Sequence, residues 1–342
     1  MHDRDVMAHS IAEGIDTRTK HGRIDLKQIW GLIKAAASSW VDDYAPSMGA
    51  ALAYYTLFSI APLLLIVISI AGMVFGEEAA RGEIFGQLNS FMGSEAAAAI
   101  QGLLESVNKP AKGTFATIAG VALVLIGATT VFAELQDAMD RIWRAPARNK
   151  TSGLWNLLRT RLLSFGMILS IGFLLMVSLV MGAILSALSR WWSPFFTGWE
   201  TVAQVLNTLF SFGITMLAFA MIYKIMPRVK IAWRDVWIGA AVTAFLFTVG
   251  KFLISFYIGR SGVVSGFGAA SSIVIVLIWV YYSAQIFLVG AEFTWVYAHL
   301  FGSRKGQKIP KANEAPITRN EKESTSLPDG KKKSAAKDGK VG

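Results

Sequence analysis

The chain has 342 residues, of which 54% are hydrophobic and only 16% are charged. An ordinary soluble domain has about 25% charged residues, and a soluble chain of this length has no core large enough for so much apolar surface. Cysteine is absent, which excludes disulfides, thiolate chemistry and cysteine-ligated zinc. The net charge of +10 does not indicate a nucleic-acid partner, because the basic residues lie in tails and between long apolar blocks. These blocks predict an all-α membrane protein and not an outer-membrane barrel.

The N-terminal region precedes the first long apolar block. Residues 1–25 are polar, and we expect them to be flexible. From Leu26 to Tyr44 apolar residues, two tryptophans among them, recur at helical spacing beside Lys27 and Lys34. This pattern predicts a helix that lies in the headgroup region of a bilayer. A helix packed on the protein's own cytoplasmic loops fits the pattern equally well.

Six apolar blocks follow, each long enough to cross a hydrocarbon core of about 30 Å at 1.5 Å per residue. They lie at about 48–75, 115–139, 158–188, 202–226, 236–257 and 270–298. The sequence therefore predicts a polytopic bundle of six transmembrane helices within a membrane domain of residues 26–301. The remaining residues, 302–342, are basic and almost free of large apolar side chains, so we expect a disordered tail.

Two short apolar stripes occupy residues 82–109, between the first two blocks. Gly93 and Ser94 separate the stripes, and serine followed by Glu95 is typical of a helix start. We expect a pair of short amphipathic helices on the outer membrane surface.

The charges of the connections alternate along the chain. The connections after the second and fourth blocks are rich in Lys and Arg, as is the C-terminal tail, whereas the other connections are acidic or nearly neutral. Because basic connections stay on the cytoplasmic side, the pattern predicts that both termini are cytoplasmic. Six spans place every basic connection on the cytoplasmic side.

Signatures of catalytic chemistry are missing from the sequence. Three of the four histidines precede residue 25, and no HExxH, P-loop or dinucleotide-binding glycine pattern occurs. We therefore predict a protein that is not an enzyme and holds no metal or cofactor.

Polar residues inside or at the ends of the spans are the candidates for function. Ionisable groups within spans usually face a bundle interior or a pathway. The candidates are Glu134, Lys224, Gln285 and Glu292. Counted from the outer ends of their spans, Glu134 and Glu292 both lie about 30 Å down. We hypothesise that these residues line a substrate pathway near the inner mouth; alternatively, each charge reaches the headgroups on its own.

Several segments carry a resemblance to a known family. They are ALAYYTLFSIAPLLLI at 50–65, ELQDAMDRIW at 134–143, WRDVWIG at 233–239, GKFLISFYIG at 250–259 and IWVYYSAQIFLVGAEF at 278–293. In this order they resemble the YihY/BrkB family of bacterial inner-membrane proteins, over roughly residues 25–300. One departure is Asp140, where the family commonly has asparagine.

The resemblance implies a multi-pass protein of the bacterial cytoplasmic membrane, with membrane lipids as its partners and its oligomeric state open. The resemblance also brings two labels that the family has inherited, a virulence factor for serum resistance and "ribonuclease BN". Nuclease activity is disfavoured, because phosphodiester hydrolysis normally needs metal-binding side chains in a wet cleft. The leading hypothesis is transport or export of an envelope-related, lipid-like substrate. The alternative is a membrane scaffold or envelope-integrity factor that transports nothing.

Reporter fusions test the predicted topology. Fusions at Glu95 and Trp199 should report the outer side, because the connections there are not basic. Fusions at Arg148, Val229 and Gly302 should report the cytoplasm. A cytoplasmic signal at Glu95 would reverse the predicted orientation.

Overall fold

The computed structural model describes residues 26–107, 130–146, 199–260, 266–267 and 270–306, and isolated residues at 174, 177, 184 and 188. The chain divides into two units. The first comprises Met1–Ala145 and Thr151–Gln307, and all the contacts below lie within it. The second comprises Pro146–Lys150 and Lys308–Gly342, of which only Pro146 is described.

The described ranges are helical and contain no strand, which confirms the predicted all-α class. In chain order the helices are α1 (Leu26–Asp42), α2 (Ala45–Phe75), α3 (Glu77–Met92), α4 (Ser94–Val107), α5 (described over 130–142), α6 (Trp199–Ile225), α7 (Trp233–Arg260) and α8 (Ser271–Leu300).

Several of these helices can cross a membrane. Among the described residues, α7, α8 and the part of α6 from Thr201 are both long and apolar enough. Helix α2 has 31 residues and so reaches about 46 Å at 1.5 Å per residue. These helices confirm a polytopic helical membrane protein.

Four of the six predicted spans coincide with helices α2, α6, α7 and α8, within a few residues at each end. The predicted span at 115–139 is described only from residue 130, where it is helical. The predicted span at 158–188 lies outside the described ranges apart from four isolated residues. The number six therefore stays a prediction.

The breaks between the first four helices follow from local backbone preferences. Tyr44 adopts a left-handed conformation with φ of 58° between α1 and α2, and a proline at the start of α2 fits its first turn. Gly93 has φ of 83° and separates α3 from α4, as the sequence predicts. Glycine suits this backbone because it has no Cβ to clash. A side chain there would also collide with Ser255 on α7.

Helix α1 has one buried and one exposed face. Leu32, Ala36 and Ser39 are buried, and the helix packs against α8. The exposed side chains include four apolar ones and two lysines, namely Lys27, Ile29, Trp30, Ile33, Lys34 and Val41. Apolar side chains flanked by lysines are typical of a helix at a bilayer surface, so α1 combines packing on the protein with a surface suited to lipid.

Helix α8 is the centre of the described bundle. It packs against α1, α2, α4 and α7. Ten residues of its C-terminal half, from Phe287 to Ala298, are buried. At its other end, Ile275 and Val276 join an apolar cluster with Ile100 of α4 and Ile258 of α7. The short helices α3 and α4 therefore cover one end of the α7–α8 pair.

Helices α7 and α8 approach each other closely where glycine faces threonine. A Cβ at Gly239 would collide with Thr294, and one at Gly290 would collide with Thr243 and lie 2.6 Å from the Tyr223 hydroxyl. The hydroxyl of Tyr223, on α6, is 2.9 Å from Thr243 Oγ1 and 2.8 Å from the Phe287 carbonyl oxygen. Small residues allow this approach, and the hydroxyls are all bonded within the bundle, as burial away from water requires.

Replacement of Gly290 tests this crossing. Gly290→Ala should lower the melting temperature in detergent, because overpacking a tight contact costs about 1–3 kcal/mol. The matched control is Gly213→Ala on α6, where no described atom lies within 4 Å of the added Cβ. The control should be neutral or slightly stabilising, because alanine favours helix over glycine. Equal melting temperatures for the two variants would contradict the close crossing.

Candidate functional site in the C-terminal half of α8

Glu292 is completely buried in the middle of the C-terminal half of α8, with 0% of its surface exposed. Gln285 precedes it by seven residues, which is two turns, so both side chains lie on one face of the helix. The helix thus aligns these two candidate residues, about 10 Å apart along its axis. We term the side of α8 that carries these two residues its polar face, although Leu288 and Val289 lie between them.

Gln285 connects three helices. Its Oε1 accepts a hydrogen bond of 3.0 Å from the indole Nε1 of Trp40, on α1. Its Nε2 lies against Gly49 of α2, where any Cβ would collide with it. This buried Nε2 has no hydrogen-bond acceptor among the described residues. The amide therefore retains a donor at the junction of α1, α2 and α8.

The other two candidates have different surroundings. The ammonium group of Lys224 donates to the carbonyl oxygen of Ile231 and lies 5.2 Å from the ring centroid of Trp233. Lys224 is thus directed to the turn between α6 and α7. Glu134 is half-buried on α5 and makes no hydrogen bond or ion pair with any described residue. A pathway lined by all four residues stays a hypothesis.

Asp140 forms an ion pair that the sequence did not reveal. Its carboxylate, 7% exposed, accepts hydrogen bonds from the Arg228 backbone N at 2.9 Å and from Arg228 Nε at 2.5 Å. The pair fixes the end of α5 to the turn that follows α6. In the sequence Asp140 is notable only as a departure from the family's usual asparagine, and the 88 residues that separate it from Arg228 conceal the pairing.

Asp235 is fully buried in the first turn of α7. It accepts hydrogen bonds from the Ser303 backbone N at 3.1 Å and from Ser303 Oγ at 2.6 Å. Gly302 leaves room for this carboxylate, since a side chain there would collide with it. The beginning of α7 is thereby bound to the segment that follows α8.

The segment after α8 belongs to the same compact unit as the helices through Gly306, whereas the sequence predicts that the tail starts at residue 302. The chain turns back on the helix, and the Arg304 backbone N donates to the Ala298 carbonyl at 2.9 Å. Burial lowers the pKa of the Arg304 guanidinium, and the neighbouring Asp235 charge raises it. The apolar content of a sequence predicts helices. It does not predict a turn such as this one, because polar contacts stabilise it. Residues 307–342 lie outside the described ranges.

A metal site would need several ligands in one place. Within the described ranges, no three His, Asp or Glu side chains are close enough to hold a metal ion. The polar groups described above are instead positioned to bind, orient or connect helices.

These features define a polytopic helical membrane protein whose buried ionisable groups gather towards one end of its bundle. The chain belongs to the virulence factor BrkB family, whose model matches residues 36–315. This confirms the resemblance seen in the sequence.

Similar proteins are known from several bacteria. A UPF0761 membrane protein of Psychromonas ingrahamii is 30% identical over 76% of this chain and 85% of its own length. One of Tolumonas auensis is 28% identical over 74% of this chain and 80% of its own length. One of Pseudomonas aeruginosa is 29% identical over 75% of this chain, and the match covers 60% of that protein. No solved structure matches the chain.

Two truncations test the role of the segment after α8. A chain ending at Gly306 should unfold at the same temperature as the full chain, whereas a chain ending at Phe301 should unfold at a lower temperature. The shorter chain leaves the buried Asp235 carboxylate without the donors of Ser303, which costs about 1–3 kcal/mol or more for a charged group. Tryptophan fluorescence during heating in detergent measures the difference. Identical transitions would show that the Asp235–Ser303 contact is not stabilising.

Proposed function

We propose that this protein moves an envelope-related, lipid-like substrate through the membrane, with Glu292 and Gln285 lining part of the pathway. The observation that carries the proposal is the complete burial of Glu292 inside an apolar membrane-crossing helix. An ionisable residue at such a position is costly, by about 2.5–3.5 kcal/mol at a helix centre on insertion scales. Such residues therefore mark substrate or ion pathways more often than structural positions.

Gln285 extends the polar face of Glu292 along α8. Its amide donor has no acceptor among the described residues, although the atom is buried. A buried donor without an acceptor costs free energy, and a polar group of a substrate would satisfy it. The Trp40 indole holds the amide from the other side and fixes its orientation.

An amphipathic substrate fits this arrangement better than a small hydrophilic one. The polar face of α8 lies beside α1, whose opposite face exposes apolar side chains suited to lipid. A lipid-like molecule can keep its acyl chains in the bilayer while its headgroup contacts Gln285 and Glu292. We therefore place the headgroup, and not the whole molecule, on the polar face.

A scaffold without transport is the second candidate function. It is favoured by the close crossing of α7 and α8, where glycines at 239 and 290 leave no space between the helices. A tightly packed pair of this kind resists opening, because packed interiors deform little. The two functions differ in whether the α1–α2–α8 junction opens.

Lipid movement in reconstituted vesicles distinguishes them. The purified full chain is placed in vesicles containing phosphatidylglycerol with a fluorescent headgroup label, and dithionite then bleaches the accessible label, with and without an imposed proton gradient. In vesicles that contain the wild type, label from the inner leaflet should be bleached faster than in empty vesicles, because the protein moves the labelled lipid to the outer leaflet. Glu292→Ala should reduce that rate at least tenfold, roughly the effect of one lost charged contact, and Glu292→Gln should show whether the charge itself is needed.

The matched control is Asp137→Asn, which removes an exposed carboxylate on α5 and should keep the wild-type rate. Melting temperatures of all variants separate lost transport from lost folding. A fully active Glu292→Ala would exclude the proposed pathway. If the wild type moves lipid no faster than empty vesicles under either condition, the scaffold is favoured.

A further inference from the structure

The carboxylate of Glu292 is fully buried in a membrane-crossing helix. Glutamate is almost never fully buried unless it is paired, and acidic residues within membrane spans normally pair inside the bundle. Helices α2 and α4, which pack on α8, contain no lysine or arginine. The two lysines of α1 are exposed. These three helices therefore supply no counter-charge to Glu292.

Helix α7 also lacks a cation at this level. The glycine–threonine contacts of α7 with α8 align position 241 with Glu292. The cations of α7 nearest to that position are Arg234, which is exposed, and Lys251. At 1.5 Å per residue both lie about 10 Å or more from it along the helix axis. A counter-charge beside Glu292 therefore has to come from outside the helices that surround α8.

Arg144 reaches this level from the end of α5. Its guanidinium lies 4.9 Å from the ring centroid of Trp295, and its Nε is buried. Trp295 follows Glu292 by three residues on α8, so the two side chains are neighbours on the helix surface. Helical side chains lean towards the N-terminus of their helix, so the Trp295 ring covers the turn that contains Glu292. The guanidinium over this ring is therefore level with the carboxylate.

The other buried acids follow the same pattern. Three acidic side chains are buried among the described residues, namely Asp140, Asp235 and Glu292. Asp140 forms an ion pair with Arg228. Asp235 lies within electrostatic range of the half-buried Arg304. Each of these two acids thus has an arginine near it, and Arg144 is placed to complete the set.

The backbone of Arg144 indicates that its side chain has a role. The Ala145 backbone N donates to the Asp140 carbonyl at 2.8 Å, and the Arg144 backbone N donates to the Arg141 carbonyl at 3.1 Å. These bonds form a helix-ending motif whose left-handed position is normally glycine or asparagine. Arg144 occupies that position with φ of 49°. Backbone strain of this kind clusters at functional positions, and here it retains a guanidinium where glycine would carry none.

We infer that Arg144 is the counter-charge of Glu292 and fixes its carboxylate inside the bundle. Arg144 is thus a positioning residue, which acts through Glu292 and not on a substrate. The Trp295 ring holds the guanidinium over its face, an arrangement that suits arginine better than lysine. The pair itself is independent of transport, whereas its part in a lipid pathway rests on the proposed function.

A double-mutant cycle on the full chain in dodecyl maltoside tests the pair. Glu292→Gln and Arg144→Gln each leave one charge of the pair unbalanced, so each should lower the melting temperature by about 5 °C or more. The variant with both changes leaves no unbalanced charge. It should therefore melt at least about 4 °C above the temperature that the sum of the two single losses gives. Arg144→Lys keeps the charge and should lose less than Arg144→Gln.

The control cycle uses Arg141→Gln in place of Arg144→Gln, which removes the same charge from an exposed position of α5. Its effect should add to that of Glu292→Gln, because the two residues do not interact. Additive losses in the Arg144 cycle, or equal coupling in both cycles, overturn the inference. If a single variant does not accumulate, accumulation of the double variant supports the pair and its failure overturns it.

The dithionite assay separates the pair from the proposed function. Arg144→Gln should reduce lipid movement about tenfold or more, since the Glu292 charge loses its partner, while Arg141→Gln should keep the wild-type rate. A coupled cycle together with a wild type that moves no lipid supports the pair and overturns transport. Full transport by Arg144→Gln overturns the positioning role and leaves the proposed function standing.

Discussion

Helix α8 must be surrounded by other helices, because it carries polar groups that lipid cannot accommodate. Glu292 and Thr294 are fully buried in it, and exposure of either to hydrocarbon would be costly. The Thr294 hydroxyl bonds to the Gly290 carbonyl of its own helix, whereas the Glu292 carboxylate depends on its neighbours for shielding. This requirement explains why α1, α2, α4 and α7 all pack around α8.

Close packing around a polar helix requires small residues at the contacts. Glycine meets Gln285 at position 49, Thr294 at position 239 and Thr243 at position 290. In each case a polar side chain occupies the space that a Cβ would fill. Without a hydrophobic driving force between helices in lipid, such close contacts and their hydrogen bonds hold the helices together. The contacts at positions 239 and 290 hold α7 against α8, and the contact at position 49 holds α2 against α8.

Two buried carboxylates, Asp140 and Asp235, connect parts of the chain that are distant in sequence. Asp140 binds the turn after α6, and Asp235 binds the segment after α8. A buried carboxylate is tolerated only when hydrogen bonds satisfy it, so each of these contacts fixes two segments at once.

The sequence by itself determined the helical class, the positions of α2, α6, α7 and α8, the break at Gly93 and the shared face of Gln285 and Glu292. Each of these follows from short-range periodicity and apolar length, which a single sequence displays. Only the tertiary structure decided that Lys224 bonds to the turn after α6 and that Asp140 and Asp235 find partners 88 and 68 residues away. The structure alone also showed that the chain folds back on α8, where the Arg304 backbone N donates to the Ala298 carbonyl. Such contacts depend on how helices cross in space, and neither periodicity nor composition specifies the crossing.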